Sequence, residues 1–337
     1  MNKNIPIFFA TTLLFLSACT KELSTNTNTF TPYQGNAFND TTWNKNITGI
    51  SPITSLADTL AQNTLFTDSI DLWKDKAMIF GDSLEIDFKG GSCTNNAGVL
   101  QDGKARIDII RLQKKGDFIK AYRPNTSYMY LLETGSAFFI RITKNGSELA
   151  LAPGASIKIK FADIEEAENN MQVFYGKETT PFPTSTFDPA NTWVRSLDTS
   201  WIKTWSTQTN SGIKKGYELE AKNLRWISAH RALDPNPAKT NIYAILPPNF
   251  TNKNTAVFAV FSNNRTVIDM HGDYASRSFT TSNIPLKTKL LLVSISKFGP
   301  DLYLGTRLVN DVGTMVNYSF TPEKKSLAQI LAFLNSL

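Results

Sequence analysis

Apolar and polar positions alternate along two long blocks of this chain, and Gly, Pro and Asn separate the alternating segments. In SLEIDF, Leu84, Ile86 and Phe88 alternate with acidic residues, and in SIKIKF isoleucines alternate with lysines. A two-residue period is typical of antiparallel strands that bury one face and expose the other. The pattern therefore predicts a mainly β fold with two antiparallel β-sandwich-like domains.

The two blocks also predict the domain boundaries. Residues 71–176 form the first block, in which KNGSE, residues 144–148, is typical of a hairpin turn because Asn and Gly tolerate positive φ. Residues 216–337 form the second block, which contains strand-like segments such as YELEA, LRWISAH and TAVFAVF. Residues 177–215 lie between the blocks and are rich in Thr, Pro and Trp, so we interpret them as a connection.

Helical periodicity occurs near both ends of the folded part. Residues 19–70 are predicted to be a flexible tether because their first half is rich in Thr and Asn, but an apolar spacing that includes Leu56 and Leu60 predicts a short helix within them. Near the C-terminus, Thr321 is a candidate helix cap and Pro322 suits the first helical position. An apolar stripe then predicts a C-terminal helix that packs on the second domain; its members are Leu327, Ile330, Leu331 and Leu334.

The N-terminal apolar run, residues 5–18, follows Lys3 and stops at Cys19. It has the length of the apolar region of a signal peptide and is shorter than the ~20 residues that a membrane-spanning helix needs. Its end, LSAC at residues 16–19, resembles the lipobox of bacterial lipoproteins. The alternative interpretation is an ordinary secretory signal in which the cysteine occurs by chance.

The lipobox resemblance implies how and where the protein is held. The signal peptide, residues 1–18, is removed, and the Cys19 thiol carries a thioether-linked diacylglycerol, usually with a further N-acyl chain such as palmitate. Two acyl chains are sufficient for stable anchoring. The resemblance thus implies that the protein contacts a membrane through diacylglyceryl-Cys19. It implies the bacterial outer membrane as the location, with the body facing either the periplasm or the cell surface.

The charge distribution argues against a nucleic-acid partner, and the cysteine count argues against an intrachain disulfide. The chain has 35 Lys and Arg against 29 Asp and Glu, a net charge of +6. These basic residues are spread along the chain, whereas a nucleic-acid-binding protein concentrates them, so we expect no nucleic-acid partner. If Cys19 is acylated, Cys93 is the only remaining cysteine and no intrachain disulfide can form. Cys93 lies in the turn-like stretch GGSCTNNAG, where we expect a small buried residue and where the alternative is an exposed thiol.

Residues 138–176 contain an ordered set of segments, which are FFIR, KNGSE, LALAPG, IKIKF and MQVFYG. This set resembles Bacteroidota envelope lipoproteins in which a ZU5-like β-sandwich precedes a second β-rich domain. The later segment LRWISAHRAL shares only Trp226, Ile227 and Arg231 with the family's strand Gly-Trp-Ile-Asn-x-Asp-Arg-Phe. The resemblance implies the fold and no defined activity, because the family is largely uncharacterised. Some ZU5 proteins cleave themselves at His-Phe-Ser, a tripeptide that this chain lacks.

The segment DMHGDY places Asp269, His271 and Asp273 at alternate positions. On an extended segment these side chains share one face, where they can contact a ligand, coordinate a metal or orient a base. The alternative is a polar turn after the strand TAVFAVF. Because His230 is the only other histidine, the sequence predicts no His/Cys metal site of the usual ligand number and no cofactor.

Three tryptophans of the predicted connection, Trp193, Trp201 and Trp205, form a second set of candidate ligand contacts. Flat aromatic faces suit the CH groups of pyranose rings, so these residues could form a platform for a sugar. The alternative is that they pack between the domains or within a strand, and WVR at Trp193 is typical of a strand.

No catalytic motif is present: the chain has no Gly-x-Ser-x-Gly, no P-loop and no dinucleotide fingerprint, and no carboxylate pair stands out. We therefore predict no catalytic residues. The first hypothesis is a lipid-anchored binding or structural module of the cell envelope, with envelope proteins or glycans as partners. The second is a glycan-binding or carbohydrate-active surface lipoprotein. Exposed tryptophans beside carboxylates would favour the second hypothesis.

Overall fold

The computed structural model describes residues 43–45, 52–60, 66–128, 130–163, 167–177, 193–209 and 212–337. These residues include the helices α1 (Pro52–Leu60), α2 (Lys115–Lys120) and α3 (Leu327–Asn335). The strands are, in chain order, β1 (Phe66–Asp71), β2 (Lys76–Phe80), β3 (Leu84–Phe88), β4 (Cys93–Thr94), β5 (Lys104–Leu112), β6 (Thr126–Ser127), β7 (Tyr130–Lys144), β8 (Ser147–Leu151), β9 (Ile157–Ala162), β10 (Gln172–Gly176), β11 (Trp193–Arg195), β12 (Trp201–Thr209), β13 (Gly212–Ala221), β14 (Arg225–Ala232), β15 (Lys239–Ile245), β16 (Thr255–Phe261), β17 (Val267–Asp273), β18 (Ser278–Pro285), β19 (Leu290–Phe298), β20 (Asp301–Val309), β21 (Val316–Ser319) and β22 (Glu323–Lys325). No helix within the described ranges is long and apolar enough to cross a bilayer.

Two sheets form a β-sandwich. Sheet 1 has the strand order β1-β5-β7-β14-β10-β11, with β4, β6 and β8 at its margins, and sheet 2 has the order β12-β13-β9-β3-β2. Alternate side chains of both sheets turn inward, so Ile86 and Ile159 of sheet 2 and Ile107 and Ile140 of sheet 1 belong to one buried core. The two-residue period therefore predicted the mainly β fold correctly.

The sandwich extends past the boundary that we predicted at residue 216. Strand β13 pairs with β9 in sheet 2, and β14 lies between β7 and β10 in sheet 1. The described residues from 193 to 232, assigned above to the connection and the second domain, thus complete the first sandwich. Alternation identifies a strand but not its neighbour, which is why the boundary needs this correction. Residues 178–192 lie outside the described ranges.

Sheet 3 contains the later strands in the order β21-β15-β18-β17-β16-β19-β20-β22. Its pairings are antiparallel except for β15 with β21, which is parallel. Strand β16, TAVFAVF, is buried along its whole length. One of its faces, with Val257 and Ala259, belongs to the core of sheet 3, while the other, with Phe258 and Val260, faces the sandwich. The sequence of a strand that is buried on both faces is a continuous apolar run, without alternating polar positions.

A third core, here called the seam, joins the sandwich to sheet 3. It includes Phe174 and Trp226 from sheet 1 and Phe258 from sheet 3. All three helices add buried side chains to the seam; these are Leu56, Leu60, Phe118, Ile119, Ile330 and Leu334. Helix α2 approaches α3 closely because Gly116 has no side chain, and a Cβ there would lie 1.8 Å from the Leu334 carbonyl oxygen.

The predicted tether is partly folded. Helix α1 confirms the helical spacing, and its Leu56 and Leu60 are buried in the seam. Trp43 is also buried, with its ring 5.2 Å from that of Phe279 in sheet 3. These apolar contacts hold residues 43–45 and 52–60 on the folded body, so the prediction of a tether over 19–70 is corrected for them. Cys19 and the signal peptide lie outside the described residues.

The C-terminal helix forms, but it begins later than predicted. Residues Glu323–Lys325 form β22 and pair with β20, so Thr321 does not cap a helix. Helix α3 instead begins after Ser326, whose hydroxyl accepts from the Gln329 N–H at 3.2 Å, in a capping box with the Gln329 side chain. The predicted apolar stripe is buried at Ile330 and Leu334.

Two local predictions are confirmed. KNGSE forms the turn between β7 and β8, with φ of 49° at Asn145 and 80° at Gly146. Cys93 is fully buried, and desolvation raises the pKa of its thiol to about 11. Its thiol is therefore protonated at neutral pH and a poor nucleophile.

Candidate functional site

The structure separates the three tryptophans that the sequence grouped. Trp193 is completely buried in the seam, and its indole N–H donates to the Pro124 carbonyl oxygen at 3.1 Å. Trp193 therefore packs between structural layers, as the alternative interpretation states. Trp201 and Trp205 remain partly exposed on β12, the edge strand of sheet 2.

Trp201 and Trp205 lie on the outer face of sheet 2. Residues four apart on a strand point to the same face and are about 13 Å apart at 3.3 Å per residue. The Lys203 ammonium lies over the Trp201 ring at 5.1 Å, and the Lys160 ammonium lies over the Trp205 ring at 5.2 Å. Each ring thus has a cation near it that can donate hydrogen bonds to a polar ligand.

The same face carries a row of alternating charges. Lys203, Glu218, Lys160 and Glu85 are cross-strand neighbours on four adjacent strands. The Lys203 Nζ lies 3.3 Å from Glu218 Oε1. Opposite charges on cross-strand neighbours stabilise a sheet. The outer face of sheet 2 therefore presents donors and acceptors in alternation beside two aromatic rings.

Asp269, His271 and Asp273 do not form a single cluster. Asp269 is buried, and its Oδ2 lies 3.2 Å from His271 Nδ1, so these two side chains form a pair. Asp273 instead accepts from the Ala275 N–H at 3.0 Å and from the Ser276 hydroxyl at 2.5 Å. The described residues contain no group of three or more His, Cys, Asp or Glu side chains placed to hold a metal. The pair can orient the His271 imidazole, while Asp273 stabilises the turn after β17.

A buried polar chain, which sequence reasoning missed, crosses the seam at His230. The Asn125 amide accepts from the Val267 N–H at 2.7 Å and donates to the Thr134 hydroxyl at 2.6 Å. The Thr134 hydroxyl lies 2.7 Å from His230 Nδ1 and completes this chain of contacts.

Burial fixes the charge state of His230. Its Nδ1 contacts the Thr134 hydroxyl, whereas its Nε2 finds no hydrogen-bond partner among the described residues. The ring is completely buried and lies 4.7 Å from the Trp193 ring. Desolvation lowers the pKa of His230 to about 3, although a hydrogen bond to the Glu133 backbone opposes the shift. His230 is therefore a neutral residue of the seam.

A buried ion pair also crosses between the sandwich and sheet 3. Arg265, in the loop between β16 and β17, donates from both terminal nitrogens to Asp163, which follows β9; the Nη2–Oδ2 distance is 2.9 Å. The side chains are only 4% and 0% exposed. Arg265 also donates to the Gly135 carbonyl oxygen at 3.0 Å. No local pattern marks this pair, because its two residues are far apart in the sequence and both lie in polar loops.

Partly exposed rings and alternating charges thus lie together on sheet 2, whereas the buried His230 and Asp163–Arg265 contacts join the layers. A comparison with protein-family models, with characterised proteins and with solved structures finds no match to this chain.

Proposed function

We propose that this protein is a lipid-anchored binding or structural module of the bacterial cell envelope, located at the outer membrane. The single observation that carries the proposal is the LSAC sequence at residues 16–19, which ends an apolar run of signal-peptide length. The accompanying proposal, that the body is ZU5-like with a second β-rich unit, rests on the ordered segments between residues 138 and 176. In this proposal the lipid holds the body at the membrane and the body binds envelope components.

Replacing Cys19 by alanine will move the protein from the membrane fraction to the soluble fraction of bacteria that process lipoproteins. Without the thiol no diacylglycerol can be attached, and each lost CH₂ removes about 0.8 kcal/mol of membrane binding. The measurement is the distribution of the full-length protein between fractions, together with mass spectrometry of the mature N-terminal peptide.

Cys93→Ala is the matched control for that experiment. Cys93 is the other cysteine and is buried in the sandwich core, so its replacement should leave the protein in the membrane fraction. A mature N-terminus at a residue other than Cys19, or a Cys19→Ala protein that still sediments with membranes, would contradict lipid anchoring.

The second candidate function is glycan binding, and the outer face of sheet 2 favours it. Trp201 and Trp205 are partly exposed on one edge strand, and Lys203 and Glu218 lie between and beside them. A spacing of about 13 Å lets one extended oligosaccharide contact both rings. The lysine and glutamate side chains can hydrogen-bond to sugar hydroxyl groups.

Replacing both Trp201 and Trp205 by alanine will weaken glycan binding about tenfold, because each ring contributes roughly 0.5–1.5 kcal/mol through its face. The measurement is the retardation of the purified protein in native gels that contain xylan, mannan or dextran. Trp73→Ala is the control, since Trp73 is 57% exposed in the turn before β2, away from sheet 2's tryptophan pair. Equal retardation of wild type and double variant, or no retardation by any of these polysaccharides, would rule out this candidate.

A further inference from the structure

Arg123 is a buried cation for which the described residues supply one hydrogen-bond acceptor. It lies between α2 and β6, and it is 7% exposed. Its guanidinium stacks on the Trp226 ring at 4.7 Å, and Nη1 donates to the Lys177 carbonyl oxygen at 2.5 Å. A guanidinium has five N–H donors in one plane, so stacking covers its face and leaves the edge for in-plane acceptors.

Arg123 differs in its charge environment from the other buried cations of the described residues. Arg265 is paired with Asp163, and Lys120 is paired with Asp117 at 2.9 Å. Arg111 lies in the field of Asp163, which raises its pKa against the larger effect of desolvation. No carboxylate of the described residues pairs with Arg123. A buried charge without a partner is costly, so proteins supply a counter-ion to such groups.

The charge that acts most strongly on Arg123 among the described residues has the same sign. Desolvation, followed by repulsion from Arg225, lowers the pKa of Arg123 to about 10. Arg225 itself binds Glu148 through two hydrogen bonds of 2.6 and 2.9 Å, so that carboxylate is already engaged. Lys177, whose carbonyl oxygen accepts from Arg123, is a third cation in this region, and its Nζ lies over the exposed Tyr128 ring at 5.3 Å. The described surroundings of Arg123 thus favour an anion, and no further carboxylate among the described residues is paired with it.

We propose that Arg123, with Lys177 and Arg225 at its rim, binds a small oxyanion group, a phosphate or a carboxylate, carried by an envelope component. The anion accepts hydrogen bonds from guanidinium N–H groups other than the one that donates to Lys177. The Trp226 ring, stacked on the guanidinium, fixes its orientation. Arg is suited to this role because its donors match two oxygens of one anion. Tyr128, beside Lys177, supplies an aromatic surface for the rest of the ligand.

This inference rests on the proposed binding role of the body and gives that role a site and a ligand class. It is independent of the anchor, because the anchor depends on the Cys19 thiol and the anion site on the Arg123 guanidinium. Loss of membrane attachment in Cys19→Ala together with no anion binding would leave the anchor established and remove the site. Anion binding together with unchanged sedimentation of Cys19→Ala would establish the site and remove the anchor.

The test is calorimetric titration of the purified full-length protein, in a neutral polyoxyethylene detergent at pH 7.5, with sodium phosphate and separately with sodium acetate. Sodium chloride keeps the ionic strength constant. We expect saturable binding of at least one anion, with affinity reduced at least tenfold in Arg123→Gln and several-fold in Lys177→Gln. The anion that binds more tightly identifies the group as phosphate or carboxylate.

Arg307→Gln is the matched control, because Arg307 also lies over an aromatic ring, that of Tyr318 at 5.5 Å, and also donates to a backbone carbonyl. It should bind the anion like the wild type. Lys177 is exposed, so Lys177→Gln keeps the test decisive if Arg123→Gln fails to fold. Anion binding that is absent from the wild type, equal in Lys177→Gln and the wild type, or lost in Arg307→Gln would overturn the proposal.

Discussion

Replacing Asp163 by asparagine will lower the free energy of unfolding by about 3–5 kcal/mol, the range seen when one partner of a buried ion pair is removed. Asparagine keeps the size of the side chain but not its charge. The change leaves Arg265 buried without its carboxylate, and it also removes the negative charge that acts on Arg111. Urea denaturation of the wild type and variant at pH 7, followed by tryptophan fluorescence, measures the difference.

Asp68→Asn is the control for this prediction. Asp68 also forms an ion pair, with Lys76 at 2.5 Å, but the two side chains are 48% and 35% exposed. Exposed pairs contribute roughly 0–1 kcal/mol, so this variant should unfold close to the wild type. A combined Asp163→Leu and Arg265→Met variant should be more stable than Asp163→Asn, because no buried charge is left at that place. If Asp163→Asn lost less than 1 kcal/mol, the pair would not be a main contact between sandwich and sheet 3.

Local patterns predicted the strands and turns of this fold well. The alternation in SLEIDF and SIKIKF depends only on neighbours in sequence, and β3 and β9 bury Ile86 and Ile159 as that alternation requires. The turn at Asn145-Gly146 likewise depends on the φ preferences of two residues. Such features can be read from sequence because the physical cause lies within a few residues.

Features that depend on distant partners could not be predicted in this way. The LRWISAH segment is readable as a strand, but nothing within it shows that β14 pairs with β7 and β10. The helix start was misplaced for a related reason: Glu323–Lys325 pairs with β20, and this pairing outweighs the local suitability of Thr321 and Pro322. Tertiary pairing decides such cases over local propensity.

The candidate sites show the same limit. Asp269 and His271 were predicted as neighbours from their alternate positions, and they do pair. Arg123 and Trp226 stack although they are far apart in the chain, so no sequence motif predicts the contact. The buried position of His230 is equally invisible, because its strand offers both buried and partly exposed positions.

Acidification from pH 7 to pH 5 will destabilise the wild-type protein by about 2 kcal/mol through His230 alone. The folded-state pKa of about 3 lies below the unfolded value of about 6.5, so below pH 6.5 the unfolded chain binds a proton that the folded protein rejects. Stability from this group is therefore complete above pH 6.5, falls by about 1.4 kcal/mol per pH unit below it, and stops falling only near pH 3. Carboxylates contribute little to the change in stability between pH 7 and pH 5, because their pKa values in the unfolded chain lie below pH 5.

His230→Asn isolates this effect, because the asparagine side-chain oxygen can accept from Thr134 but the side chain does not titrate. The variant will be less stable than the wild type at pH 7, since it leaves a cavity beside Trp193, but it will lose about 2 kcal/mol less between pH 7 and pH 5. The control is His271→Asn, in which His230 remains, so the part of the pH dependence that comes from His230 should persist. Urea denaturation of all three proteins at both pH values measures the two slopes. The prediction is wrong if the wild type and His230→Asn lose the same free energy of unfolding between pH 7 and pH 5. In that case the folded protein would bind a proton at His230, which requires water to reach the imidazole in the seam.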